Sequence, residues 1–130
     1  ETGTGESNNG SGTEVAYLFP ENGMQGVHEK MKKVYISHPF TGNELYNKLD
    51  TQETCVVLKQ EHPDWCLVNP LDAFSWANRV KLTYDEILEM CIDLMLMCDA
   101  VYMCQGWVDS KGCRAEQRRA QLQGMEVLYE

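Results

Sequence analysis

Apolar positions along this chain fall into two rhythms. Four short runs, "KVYIS" (33–37), "CLVNP" (66–70), "DAVYMC" (99–104) and "MEVLYE" (125–130), are rich in β-branched and aromatic residues. The first ends at His38-Pro39 and the second is halted by Pro70. Runs of this length and composition predict buried strands. Between them the spacing becomes helical. "NELYNKLDTQETCVVLKQEHPDW" places Leu45, Leu49, Val56 and Val57 at helical intervals and stops before Pro63. "TYDEILEMCIDLMLMCD" sets Tyr84, Ile87, Cys91, Leu94 and Cys98 on one face, and Thr83 followed by Glu86 has capping-box spacing. Asp72 reads as the N-cap of a short "AFSWANR" helix, and a last helix is expected from about Ser110.

Strands alternating with helices predict an α/β domain built on a parallel sheet of four to five strands with right-handed crossovers. The domain is expected over residues 31–130, with Met31 as a candidate initiator. Residues 1–30, rich in Gly, Ser, Thr, Asn and Glu around the single apolar island "VAYLFP", read as a flexible tail or linker.

In a sheet of this kind ligands sit beyond the carboxyl ends of the strands. Three segments should converge there: Ser37 to Gly42, Asn69 to Asp72, and Gly106 to Glu116. Glu116 lies at i+3 from Cys113 and i−4 from Ala120, so it shares a stripe with small residues while Arg114, Arg118 and Arg119 point elsewhere. Two readings stand side by side. It is a carboxylate favoured by the helix dipole or paired with Arg119. Or it is a nucleophilic or acid/base carboxylate facing the crevice, with Gly112, Cys113 and Ala115 kept small to admit a ligand.

Other groups carry similar alternatives. Tyr35 is a core strand residue whose hydroxyl needs a partner if buried. Trp107 either caps the core or stacks on a base. Ser110 is an N-cap at a helix terminus that could also receive an anion. Asp93 falls near Glu86 and Glu89 and reads as part of a solvated face. Leu96 and Met97, on that same far side, predict cover by a partner subunit.

Composition narrows the function classes. The formal charge of −9 argues against a nucleic acid polymer or an anionic membrane surface, while leaving room for one small nucleotide in a local pocket. No apolar stretch is long enough to span a bilayer, and the N-terminus lacks a basic, hydrophobic leader. The six cysteines include no C-x-x-C pair and mostly sit in periodic segments, which predicts reduced, packed thiols in a cytoplasmic protein. His28, His38 and His62 are not spaced with the cysteines as zinc ligands, so no metal is expected.

Taken together, "VYIS", the turn "HPFTG", "VNPLD", "CDAVYMCQGW" and "DSKGCRAE" through "GMEVLYE" resemble the nucleoside 2-deoxyribosyltransferase-like superfamily, which includes nucleotide N-glycoside hydrolases, over about residues 33–129. The resemblance implies a flavodoxin-like three-layer α/β sandwich and a homo-oligomer, dimer or larger. It implies a small-molecule substrate, a nucleoside or nucleoside 5′-monophosphate, with no metal or organic cofactor. Glu116 would attack C1′ of the sugar as the base leaves, with Tyr35 holding it. An ionised carboxylate suits that task, stabilising an oxocarbenium-like centre and then bonding to it. Substrate contacts are expected from Ser37, His38, Thr41 and Gly42 in the first turn. Asp72, Trp107, Ser110 and Gly112 would supply the rest.

Three departures from the pattern bear on activity. The usual position of the leaving-group acid holds Cys91, and Asp93 lies about 200° round the helix from it. Pro39 and Thr41 stand where the hydrolases place Ser and Arg for a 5′-phosphate, although Ser110 matches a phosphate-contacting Ser. His38 occupies a position that is usually Gly. The acid is therefore unassigned, with His38, Asp72 and Asp93 as candidates. The rival to an enzyme is a non-catalytic domain that senses or sequesters a nucleotide. A domain whose exposed helix face is its function ranks third.

Overall fold

Alternation along the central strands decides the layering. In β1 (Lys32–Ser37) Val34 and Ile36 join one buried cluster and Tyr35 the other, because successive side chains leave a pleated strand on opposite faces. In β3 (Ala100–Met103), Ala100 goes with Val34 and Ile36, while Val101 and Met103 go with Tyr35. A sheet that is apolar on both faces needs helices on both, and the computed structural model, which describes residues 30–130, has them there. Helix α1 (Glu44–Glu61) covers the Val34 side through Leu58 and Cys55. The short α2 (Pro70–Ala73) and a 3₁₀ turn at Ser75–Arg79 follow β2 (Trp65–Val68). Helices α3 (Tyr84–Leu96) and α4 (Lys111–Leu122) cover the Tyr35 side through Ile92, Met95, Cys113 and Ala120.

With β4 (Glu126–Tyr129) the described strands form one parallel sheet in the order β2-β1-β3-β4. This is the flavodoxin-like three-layer arrangement. Met31–Glu130 forms one compact unit. The chain runs outward from β1 to β2, then returns to build β3 on the other side of β1. That reversal opens a crevice at the carboxyl ends of β1 and β3.

The caps that set these helices are local. Thr83 Oγ accepts from Glu86 N–H at 3.1 Å and Glu86 Oε1 accepts from Thr83 N–H at 2.7 Å, a complete capping box. Ser110 Oγ accepts from Cys113 N–H at 3.2 Å and starts α4. Gly106, between β3 and a 3₁₀ turn at Trp107–Asp109, has φ of +90°, a backbone state that glycine adopts without strain.

Several expectations need correcting. Asn69, not Asp72, caps the segment after β2, and that segment is α2 plus a 3₁₀ turn rather than one helix. The apolar stripe of α1 faces outward, with Leu45 70% exposed, and its inward face is Thr51, Cys55 and Leu58. In α3 the buried positions are Ile92 and Met95; of the expected face, Cys91, Leu94 and Cys98 pack partly buried against the same cluster, while Tyr84 is exposed. Leu96 is half-buried against the Tyr35 cluster and not on a free face; of the pair, Met97 alone is exposed. The tail expected over residues 1–30 lies, but for Lys30, outside the described residues, as does "VAYLFP".

Candidate active site

Glu116 is only 6% exposed, and both of its oxygens are held from β1. Tyr35 Oη donates to Oε2 at 2.5 Å, and Ser37 Oγ donates to Oε1 at 2.7 Å. The two hydroxyls reach one carboxylate because they are two residues apart on the same strand face. Bonds this short, from neutral donors to each oxygen, favour the ionised form of the acceptor. Neither the helix dipole nor Arg119 accounts for the carboxylate: its partners are Tyr35 and Ser37.

Burial works the other way. It pushes the Glu116 carboxyl above its ordinary range, and the hydrogen bonds from Tyr35 and Ser37 draw it back only in part. Burial, followed by the Glu116 charge, raises the Tyr35 phenol well above its usual value, so Tyr35 keeps its proton as a donor. Glu116 is thus an oriented carboxylate in a dry setting, a combination typical of functional groups.

The carboxylate faces a cavity of about 220 Å³ at the crevice. β1 and its turn supply Tyr35, His38, Phe40 and Thr41; the segment after β2 supplies Pro70 and Leu71. The start of α4 adds Ser110, Gly112 and Cys113. The three segments expected to converge do so. Two contributions lay outside the sequence reading as site residues: Glu44 at the start of α1, and Tyr84, Ile87 and Leu88 of α3, beside Cys91 at the superfamily's acid position. Glu44 had a visible signal, since it opens the helix that leaves the carboxyl end of β1.

The cavity opens on two unlike sides. One is a depression of about 860 Å³ whose walls include Thr83, Asp85, Asp109 and Lys111 and which shares Thr41, Tyr84 and Ser110 with the inner cavity. The other, about 320 Å³, is mostly apolar, with Phe40, Leu71, Phe74 and Ile87, and shares Glu44 and Cys91 with the inner cavity. Gly112 is kept small for a reason: a Cβ there would meet Tyr84 Oη at 2.9 Å.

The remaining expected site residues are placed differently. Ser37 is fully buried behind Glu116, so it holds the carboxylate and does not line the cavity. Gly42 sits at φ +110° in the turn before α1, and Trp107 packs on the core with its ring 5.7 Å from that of Tyr129. Asp72 is exposed and accepts from Gln52 at 3.0 Å, outside the inner cavity. Asp93 is exposed on α3, as its solvated reading required. His38 lines the cavity, but one ring nitrogen contacts Pro39 O and the other Asp50 Oδ2, both at 2.7 Å. With both nitrogens occupied it has no free N–H to offer a ligand. Cys91 presents a thiol that burial, and then the Glu116 charge, push up to about 11, against a small opposing pull from Tyr35.

Among the described residues no group of three or more His, Cys, Asp or Glu is arranged to hold a metal ion, and no helix is long and apolar enough to cross a membrane. No curated protein matches the chain. Residues 32–129 match the family described as Domain of unknown function (DUF4406). That span contains all four strands and the whole cavity lining, and the chain belongs to this family.

Proposed function

We propose that the protein is an N-glycosidase or glycosyltransferase that cleaves the base–sugar bond of a nucleoside or nucleoside 5′-monophosphate. The observation that carries this reading is the buried Glu116 carboxylate, held on both oxygens by Tyr35 and Ser37 and turned towards a cavity beside an apolar wall. Glu116 attacks C1′ while the base departs, and water or a second base resolves the glycosyl ester. The resemblance to the nucleoside 2-deoxyribosyltransferase-like superfamily supports the same chemistry and with it a homo-oligomer, while six cysteines without a C-x-x-C pair support a cytoplasmic setting.

The test is incubation with a panel of nucleosides and 5′-monophosphates, with free base detected by chromatography. Glu116→Gln is expected to lower the rate by at least about a thousandfold, on the order of 4 kcal/mol of barrier. Near-native turnover by that variant would remove Glu116 from the mechanism. A second reading, a nucleotide-binding domain without turnover, is favoured by the Cys91 thiol at the superfamily's acid position. It requires saturable binding by calorimetry with no base released. Sedimentation at tens of micromolar reads the oligomer, which would be absent if the protein ran as a 14.9 kDa monomer.

A further inference from the structure

Departure of a base from C1′ leaves an electron pair on the ring nitrogen, and a neutral base leaves slowly unless a proton arrives there. None of the expected donors is placed to deliver it. Asp72 and Asp93 lie outside the inner cavity, and both nitrogens of His38 are already engaged. Cys91 is a weak donor whose thiol is further weakened by burial.

Of the described residues around the inner cavity, two are carboxylates: Glu116 and Glu44. Glu44 also borders the mostly apolar depression, whose lining includes Phe40, Leu71, Phe74, Ile87 and the Lys48 cation, and does not border the polar one. A planar base belongs against the apolar wall, and sugar hydroxyls belong beside Thr41, Ser110, Asp85 and Asp109. With the ligand laid that way, Glu116 faces C1′ and Glu44 stands on the side from which the base leaves. Tyr84 borders the polar side instead, which suits it to the sugar.

We infer that Glu44 is a catalytic residue, the carboxyl group that protonates the departing base. The inference rests on the N-glycosidic reading above. In the first step the bond from C1′ to the base nitrogen breaks and a Glu116 oxygen bonds to C1′. The reacting form carries Glu116 ionised and Glu44 protonated, and the electron pair on the nitrogen takes the Glu44 proton. In the second step water attacks C1′, the ester to Glu116 breaks, and the Glu44 carboxylate receives the water proton. Charges and atoms balance, and no further reactant is needed. Placing the donor on α1 takes the role away from α3, so the thiol at Cys91 is compatible with turnover.

The test compares Glu44→Gln with wild type on neutral nucleosides and on 7-methylguanosine, whose cationic base leaves without prior protonation. Loss of a proton donor is expected to lower kcat/KM on neutral nucleosides by at least about 100-fold. The same variant should lose far less on the methylated nucleoside. Equal losses on both, or no loss, would overturn the assignment while leaving Glu116 and the reaction class standing. Wild type that releases no base from any substrate would instead remove the N-glycosidic reading, and Glu44 with it. If wild type does not turn over the methylated nucleoside, Glu44→Asp decides: recovery of at least about tenfold over Glu44→Gln supports a donor. Matching rates for Asp and Gln would end the idea. The side chain is exposed, so an unchanged melting curve is the check that neither variant acts through the fold.

Discussion

At the scale of single residues, the Glu116 carboxyl is the group whose environment carries most consequence. Its folded value lies above its unfolded one, so folding disfavours the ionised form. The contribution to stability is complete below the ordinary carboxylate range and is lost as pH rises through the folded value. Glu116→Gln should therefore melt higher than wild type near pH 8, with the gap closing towards about pH 4. Each 1 kcal/mol of relief reads as about 4–8 °C in Tm for a domain of this size. The acid limb of kcat/KM should correspondingly lie above the ordinary carboxylate range, and a limb within it would show that Glu116 is not the titrating group. Gly112→Ala is expected to leave Tm unchanged or slightly raised, because alanine favours helix by up to about 1 kcal/mol. It should weaken ligand binding by displacing the Tyr84 hydroxyl, which calorimetry would read. Glu116 and Tyr35 were legible from the sequence, as a carboxylate on a small-residue stripe and a strand tyrosine needing a partner. Glu44 carried a signal that went unread, its place at the start of the helix leaving β1, whereas Tyr84 joins the site only when α3 is placed beside the cavity.

At the scale of elements, strands were easier to read than helix faces. A short β-branched and aromatic run leaves little choice, and β1 and β3 keep the expected span to within a residue at either end, whereas β2 ends at Val68 because Asn69 and Pro70 already cap and open α2. A helix period says which residues share a face but not which face turns inward. Helix α3 is apolar on neighbouring stripes and both turn inward: Ile92 and Met95 are buried in the core, while Cys91, Leu94 and Cys98 of the expected face pack partly buried against it. In α1 the inward row begins with Thr51 and Cys55, whose modest apolarity hid it behind Leu45 and Leu49. Two outcomes follow for α3. Thr83→Ala removes the Oγ that accepts from Glu86 N–H, leaving the bond from its own backbone N–H to Glu86, and should cost about 1 kcal/mol, seen as a lower Tm. Because Leu96 packs on the core, Leu96→Glu should lower Tm whatever the oligomeric state. An unchanged Tm with a shifted sedimentation coefficient would instead place Leu96 at a subunit interface.

At the scale of the whole molecule, charge and chain order matter most. With a formal charge of −9 the protein should pass unretained through a heparin column at roughly 0.15 M salt, where the Debye length is about 8 Å. Retention would require a basic patch that the net charge conceals. The bonds from Tyr35 and Ser37 to Glu116 join residues 81 and 79 positions apart, the first strand to the last helix. During synthesis, then, the strand emerges with nothing to hold, and the carboxylate arrives only after β2, α3 and β3 have left the ribosome. A nascent chain can form much of its sheet and still be chemically silent. A protease cut anywhere between the two partners that lets the halves part would strip Glu116 of both its hydrogen-bond donors without removing a single residue.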